Sequence, residues 1–273
     1  MSTHPNHAGS LVESSVDDGV LTLTLNSPSD GNALNVAMTE ALSDVLEQIN
    51  DRPDVHCLLM RSSSPHFCTG GNVKDMQNGS DLMSGSVEEV RERLHRSLHR
   101  ITRALSGLDV PSVCAVNGAA VGAGCDLALM CDIRVASTKA VFAESFLRLG
   151  LVSGIGGSWF LVRSVGYSKA LELTLTSEFI DAEAALGLGI VSKVVPEDEL
   201  DMDARSLAKR IAQNPPTALR MAKRLVREAA DASLSTTLEM AASMQAILLC
   251  GREHKEAVGR FLERQAEKKR THM

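Results

Sequence analysis

The sequence predicts an α/β protein, a mixed body of strands and helices followed by an all-helical C-terminal stretch. Three observations carry this. Short apolar runs of strand length alternate with helical patterns through the first 200 residues. Glycine-rich turns follow strand candidates at 69–72, 118–124 and 150–157. After Pro196 the strand signals stop and four helical patterns take over. With 273 residues, 44% hydrophobic and 23% charged, the chain is ample for a sizeable core.

Taken in order, residues 1–16 read as a flexible N-terminal tail, polar and without the apolar segment of a signal peptide. Val20 to Leu25 alternates at period two, with Leu21, Leu23 and Leu25 on one face of a strand, and Asn26 to Gly31 is a turn. Leu42, Val45, Leu46 and Ile49 mark one face of a helix over about 36–50. A strand over 55–60 leads to the first glycine turn, and the polar, glycine- and serine-bearing stretch 75–88 is expected to be a mobile surface segment. Val90, Leu94, Leu98, Ile101 and Leu105 predict one helix ending before Pro111. Strands follow at Val113–Val116, Ile133–Ala136 and Val141-Phe142, a helix through Trp159 and Val162, and a strand at Ile190–Val195. Helices are predicted over 197–213, 216–231, 235–249 and 252–268. The division is a tail at 1–16, a core at 17–200 and a helical region at 201–273, which either closes over the core or builds an oligomer interface.

A net charge of −6 and 3% aromatic residues offer neither a basic field nor stacking platforms, so nucleic acid is excluded as the main partner. No run of 18 apolar residues is present, so no membrane span is expected and the chain is read as cytoplasmic. The six cysteines sit mostly inside apolar runs, with no CxxC pair and no histidine at ligand spacing. Small buried hydrophobes in a reducing compartment are expected, and no metal.

The stretch Ser112–Asp132 organises the rest. Its strand–glycine turn–helix pattern presents bare backbone N–H groups at a helix start, fit for a phosphate or a developing oxyanion. Phosphate motifs fail: nothing matches GxxxxGK[ST], and Gly122-Ala123-Gly124 lacks the third glycine of GxGxxG. GxSxG is absent too. Two glycine turns, 69–72 and 122–125, remain as an oxyanion hole or as tight strand–helix corners.

His66-Phe67-Cys68-Thr69-Gly70-Gly71-Asn72-Val73-Lys74-Asp75-Met76 resembles the first signature of the crotonase (enoyl-CoA hydratase/isomerase) superfamily, and Ala115 to Leu127 (AVNGAAVGAGCDL) resembles its second. Asn32-Ala33-Leu34, Gly150-Leu151-Val152 with Gly156-Gly157, and Ala182–Val195 also match, in order, over nearly the whole chain. The resemblance implies a spiral of ββα turns with a C-terminal helical oligomerisation region, forming a homotrimer or a dimer of trimers. It implies an acyl-CoA thioester substrate, with coenzyme A part of that substrate and no separate cofactor. The N–H groups of Gly71 and Ala123 would grip the thioester carbonyl, and Thr69, Gly70, Asn72 and Val73 would run along CoA.

The acid–base positions depart from the hydratase pattern. Asp126 stands at the first carboxylate position and is the candidate acid/base, while the second falls on Phe146 and a further acidic position of some dienoyl-CoA isomerases falls on Gly154. Glu144, two residues before Phe146, shares its face if the segment is extended, and is either a substitute acid or a carboxylate paired with Arg148 or Arg134. His66, His95 and His99 read as surface residues, and Phe146 and Trp159 as walls of an apolar acyl pocket. The expected activity is that of an enoyl-CoA hydratase/isomerase; the alternatives are a single-carboxylate double-bond isomerase and an acyl-CoA-binding protein without turnover.

Overall fold

The computed structural model describes residues 10–80, 82 and 84–271. It opens on β1 (Val12–Asp17) and β2 (Val20–Leu25), an antiparallel hairpin across Asp18-Gly19, both at positive φ as a tight two-residue turn requires. Residues 12–16 are therefore strand rather than tail, while residues 1–9 lie outside the described residues. Only Val12 of β1 is buried, so pairing by its backbone leaves no hydrophobic alternation to read. β2 behaves as its alternation predicts: Leu21, Leu23 and Leu25 enter the main core and Val20 the opposite face.

From there the chain winds between two sheets. After α1 (Val36–Leu46) and β3 (Cys57–Ser62) come the helices α2 (Val73–Asn78), α3 (Val87–Arg96) and α4 (Leu98–Ser106). β4 (Ser112–Val116) joins the larger sheet and β5 (Ala119–Val121) the smaller, followed by α5 (Ala123–Leu129). β6 (Ile133–Ser137) and β7 (Val141–Ala143) repeat the pattern, followed by a 3-10 turn, α6 (Gly157–Val165) and α7 (Tyr167–Thr176). β8 (Ile180–Asp181), α8 (Ala182–Gly187) and β9 (Lys193–Val195) close it. The larger sheet has the order β1-β2-β3-β4-β6-β9, parallel except for β1, and the smaller has β5-β7-β8. Repeated strand–strand–helix turns that feed two sheets make a ββα spiral.

Both faces of the larger sheet are covered, which is why β3 and β4 are almost continuously apolar. One face meets α9 (Leu200–Ala212), whose buried Leu200, Ala204, Ala208 and Ala212 recur every fourth residue. Three alanines in that stripe let the helix lie close against Leu59, Val113 and Val135. The helices α10 (Pro216–Ala229), α11 (Leu234–Cys250) and α12 (Arg252–Thr271) follow. Polar anchors hold α10 to the body: Arg220 donates to the carbonyls of Asn50 and Arg52, and Lys223 Nζ pairs with Asp132 at 2.7 Å.

The predicted helix from Val90 to Leu105 is broken at Ser97 (φ −117°, ψ −88°). Its hydroxyl donates back to the Arg93 carbonyl at 2.6 Å, a local bond that competes with the helical ladder. Within 75–88, α2 covers the first residues and a Ser86–Glu89 capping box starts α3; residues 81 and 83 lie outside the described set. The strand expected at 190–195 shortens to Lys193–Val195.

Candidate active site

The two glycine turns of the signatures meet. Cys68 N–H donates to the Ala119 carbonyl at 3.0 Å and Val121 N–H to the Cys68 carbonyl at 3.1 Å, adding a rung to the edge of β5. Gly70, at φ +86°, comes so close that a Cβ there would lie 2.6 Å from the Val121 carbonyl oxygen and 3.2 Å from the Ala123 nitrogen. No other residue fits both that conformation and that approach. Buried Asn32 locks the first turn from behind, donating through Nδ2 to Ser62 Oγ at 2.7 Å and the Phe67 carbonyl at 2.9 Å. Leu34 N–H donates to the Gly70 carbonyl at 2.8 Å.

Among the described residues neither the Gly71 nor the Ala123 N–H donates a hydrogen bond. Ala123 is the first residue of α5, where the helix leaves N–H groups unpaired and the dipole is positive. The Met76 methyl rests on Gly71, since a Cβ there would come 2.5 Å from it. Thr69 is fixed by its N–H to the Gly31 carbonyl at 3.0 Å, Asn72 caps α2 by accepting from Lys74 N–H at 2.9 Å, and Val73 is exposed at the start of that helix. Thus Thr69, Gly70, Gly71, Asn72 and Val73 form one continuous turn and helix start beside Ala123.

Asp126 follows one helical turn after Ala123 and is wholly buried. Its Oδ2 accepts from Ser153 Oγ at 2.7 Å, and Ser153 Oγ accepts from Gly157 N–H at 2.8 Å. Asp126 Oδ1 has no partner among the described residues and lies where a side chain on Gly157 would begin, so glycine is needed at that helix start. Burial first, then the charge of Glu144, push the Asp126 carboxyl well above the usual range, against the Ser153 bond. Glu144 is also buried, with Oε1 unpartnered, and burial raises its carboxyl too, opposed by Asp126 and the Cys125 thiol beside it. Burial and the closeness of the two carboxyls thus both work against ionising them together.

The segment after β7 is not extended. Ser145–Leu149 is a 3-10 turn, so Glu144 and Phe146 part: Glu144 turns to Asp126 and Cys125, and the Phe146 ring lies against Gly122. Neither arginine neighbour takes Glu144. Arg148 stacks on the Phe179 ring at 4.7 Å, and Arg134 donates to the carbonyls of Ile190, Cys131 and Leu129. Trp159 does not join this site. It lines a separate cavity of about 570 Å³ with Leu129, Met130 and α10, beside Arg163 at 3.5 Å, at the opposite end of α5 from Ala123.

Sequence reasoning missed Ser153 and, although it marked Gly157 as part of a glycine turn, missed its contact with Asp126, because each acts through a contact more than 25 residues away that leaves no local pattern. It also placed His95 and His99 on the surface, whereas both are half-buried. His99 Nε2 lies 2.9 Å from the Gly154 carbonyl and its Nδ1 3.0 Å from His95 Nδ1. A carbonyl only accepts, so Nε2 of His99 carries a proton and donates it to Gly154. Thr102 Oγ1 donates to the Ile155 carbonyl at 2.6 Å. These contacts clamp the turn that carries Ser153. His66 is exposed as expected.

The family model for enoyl-CoA hydratase/isomerase matches residues 15–269. The chain is 32% identical over 256 residues to the 1,2-epoxyphenylacetyl-CoA isomerase of Escherichia coli, covering 94% of this chain and 97% of that protein. It is 33% identical over 245 residues to the 2,3-dehydroadipyl-CoA hydratase of the same organism, covering 90% and 92%. The crystal structure of an enoyl-CoA hydratase of Mycobacterium smegmatis superposes with a TM-score of 0.85 at 31% identity, covering 93% of this chain and 96% of that one. The paired glycine turns, the ββα spiral and these likenesses agree: the chain belongs to the enoyl-CoA hydratase/isomerase (crotonase) family of acyl-CoA enzymes.

Proposed function

We propose that the protein holds an acyl-CoA thioester by its carbonyl between the N–H groups of Gly71 and Ala123 and moves a proton of the resulting enolate with the Asp126–Glu144 pair. The carrying observation is the meeting of the two turns at Gly70, with both N–H groups left without an internal partner. Removing a proton next to a thioester places charge on its oxygen. Each N–H aimed at that charge contributes on the order of 10²–10³ in rate. CoA runs along Thr69, Gly70, Asn72 and Val73, where a fixed turn gives way to an exposed helix start.

The carboxyl pair favours a double-bond shift over hydration. Hydration in this family uses two carboxylates around a water, and Phe146 occupies the second position. A buried pair sharing one proton suits a reaction that takes a proton at one carbon and returns it at another. A second reading, acyl-CoA binding without turnover, draws on the complete burial of Asp126 and its bond to Ser153. Exposed Leu238, Ile247, Phe261 and Leu262 on α11 and α12 support subunit association through the helical region, as a trimer or a dimer of trimers.

The test is a panel of 2-enoyl-, 3-enoyl- and dienoyl-CoA thioesters turned over by the wild type, Asp126→Asn and Glu144→Gln. Isomerisation that falls by roughly 10²–10⁴ in Asp126→Asn while acyl-CoA still binds supports the reading. Wild-type turnover in both variants overturns it, and binding without turnover in all three establishes the second reading.

A further inference from the structure

Glu144 borders a second space. A cavity of about 10 Å³ lies among Cys125, Glu144, Leu161, Leu173, Glu178 and Ile190. That volume is the room one water needs. Glu144 is 5% exposed and its Oε1 finds no partner among the described residues. Glu178, on the same wall, is exposed to solvent. Between them the lining is apolar: Leu161, Leu173 and Ile190 are buried core residues. Buried Glu144 and exposed Glu178 thus border one space of one-water size, with Cys125 as the third polar residue of its lining.

We propose that this cavity holds one water molecule that passes protons between Glu144 and Glu178, connecting the buried carboxyl pair to solvent. The step balances as a simple relay. Glu178 takes a proton from solvent and gives it to the water, and the water gives one of its own protons to the Glu144 carboxylate. One O–H bond forms and one breaks at the water, and the net change is one proton moved inward; the reverse moves it out. The relay rests on the acid–base reading of the Asp126–Glu144 pair, and it sets that pair's protonation state between turnovers without opening the thioester side. Glu178 touches no substrate in this arrangement and acts through Glu144.

The experiment follows the infrared C=O stretch of the protonated carboxyl pair after rapid mixing of the ligand-free protein into D2O, the band being assigned by its loss in Asp126→Asn. Glu178→Gln is expected to slow the shift of that band on the order of 10²-fold, the contribution of a positioned proton-transfer group. Leu173→Phe, which fills the cavity, is expected to slow it at least as much; if that variant does not fold, surface Glu178→Gln decides alone. Exchange at the wild-type rate in Glu178→Gln overturns the relay, as does the lack of any protonated-carboxyl band in the wild type. Because no substrate is present, the outcome is separate from the acyl-CoA reading. Failed turnover with slowed exchange rejects only the reaction, and intact turnover with unchanged exchange rejects only the relay.

Discussion

Replacing Gly157 by alanine sets a methyl group on the carboxyl of Asp126. A Cβ at this position overlaps Oδ1 and Cγ and comes 2.5 Å from Oδ2. Asp126 has no exposed surface, so its carboxyl cannot swing into solvent. It must turn within the core and give up the 2.7 Å bond from Ser153. Loss of a hydrogen bond to a carboxylate costs about 1.5–3 kcal/mol, and overpacking adds about 1–3 kcal/mol. The sum, roughly 3–6 kcal/mol, is a large share of the stability of an ordinary domain. Urea unfolding of Gly157→Ala, Asp126→Ala and the double variant measures it. Asp126→Ala removes the group that the methyl strikes, so the double variant is predicted to be more stable than the sum of the singles by at least about 1 kcal/mol. Turnover in Gly157→Ala falls by roughly 10²–10⁴ while acyl-CoA binding survives, because the glycine turns at 70 and 123 are untouched. Additive unfolding energies, or Gly157→Ala as stable as the wild type, refute the placement of Asp126 against α6.

Stability should depend on pH through the same pair. Both carboxyls are raised above 3.8 and 4.5, so the native state binds protons more tightly than the unfolded chain. Their favourable contribution is complete below about pH 4 and is lost as pH rises towards the native values, so Asp126→Asn should gain on the wild type as pH rises above about 4 in thermal unfolding. An amide-to-ester exchange at Ala123, which deletes one N–H and adds no atom, should lower kcat on the order of 10²–10³-fold with little change in the circular dichroism spectrum. Of the six cysteines, Cys250 alone is exposed, and burial pushes the Cys57 and Cys68 thiols to about 12. The folded protein should therefore take up one equivalent of iodoacetamide at pH 8, at Cys250, and six once unfolded.

Much of this architecture was legible in the sequence where one physical signal dominates. The alternation in β2 reports a face buried against the core, the glycine turns mark where strands give way to helices, and the helical pattern over 197–213 marks α9, though not its buried stripe of Leu200, Ala204, Ala208 and Ala212. Signals failed where the backbone or a distant contact decides. β1 is held by its ladder to β2 with one buried side chain, and Ser97 breaks a helix by bonding to its own backbone. The turns at Thr69–Val73 and Ala123 could be found from their motifs because close backbone approach demands glycine or alanine there. Ser153, the contact of Gly157 with Asp126 and the hold of His99 on the Gly154 turn could not, since nothing local marks a group that meets its partner dozens of residues away. The orientation of Glu144 turned on whether residues 145–149 are extended or 3-10, which period-two reasoning cannot decide.

The central claim is that the N–H groups of Gly71 and Ala123 and the Asp126–Glu144 pair together form and protonate a thioester enolate. Exchange of the Cα protons of a bound acyl-CoA with D2O, followed by proton NMR, tests it most directly. The account predicts exchange by the wild type and a loss of roughly 10²–10⁴ in Asp126→Asn with binding retained. Exchange at the wild-type rate in Asp126→Asn and Glu144→Gln alike would contradict it.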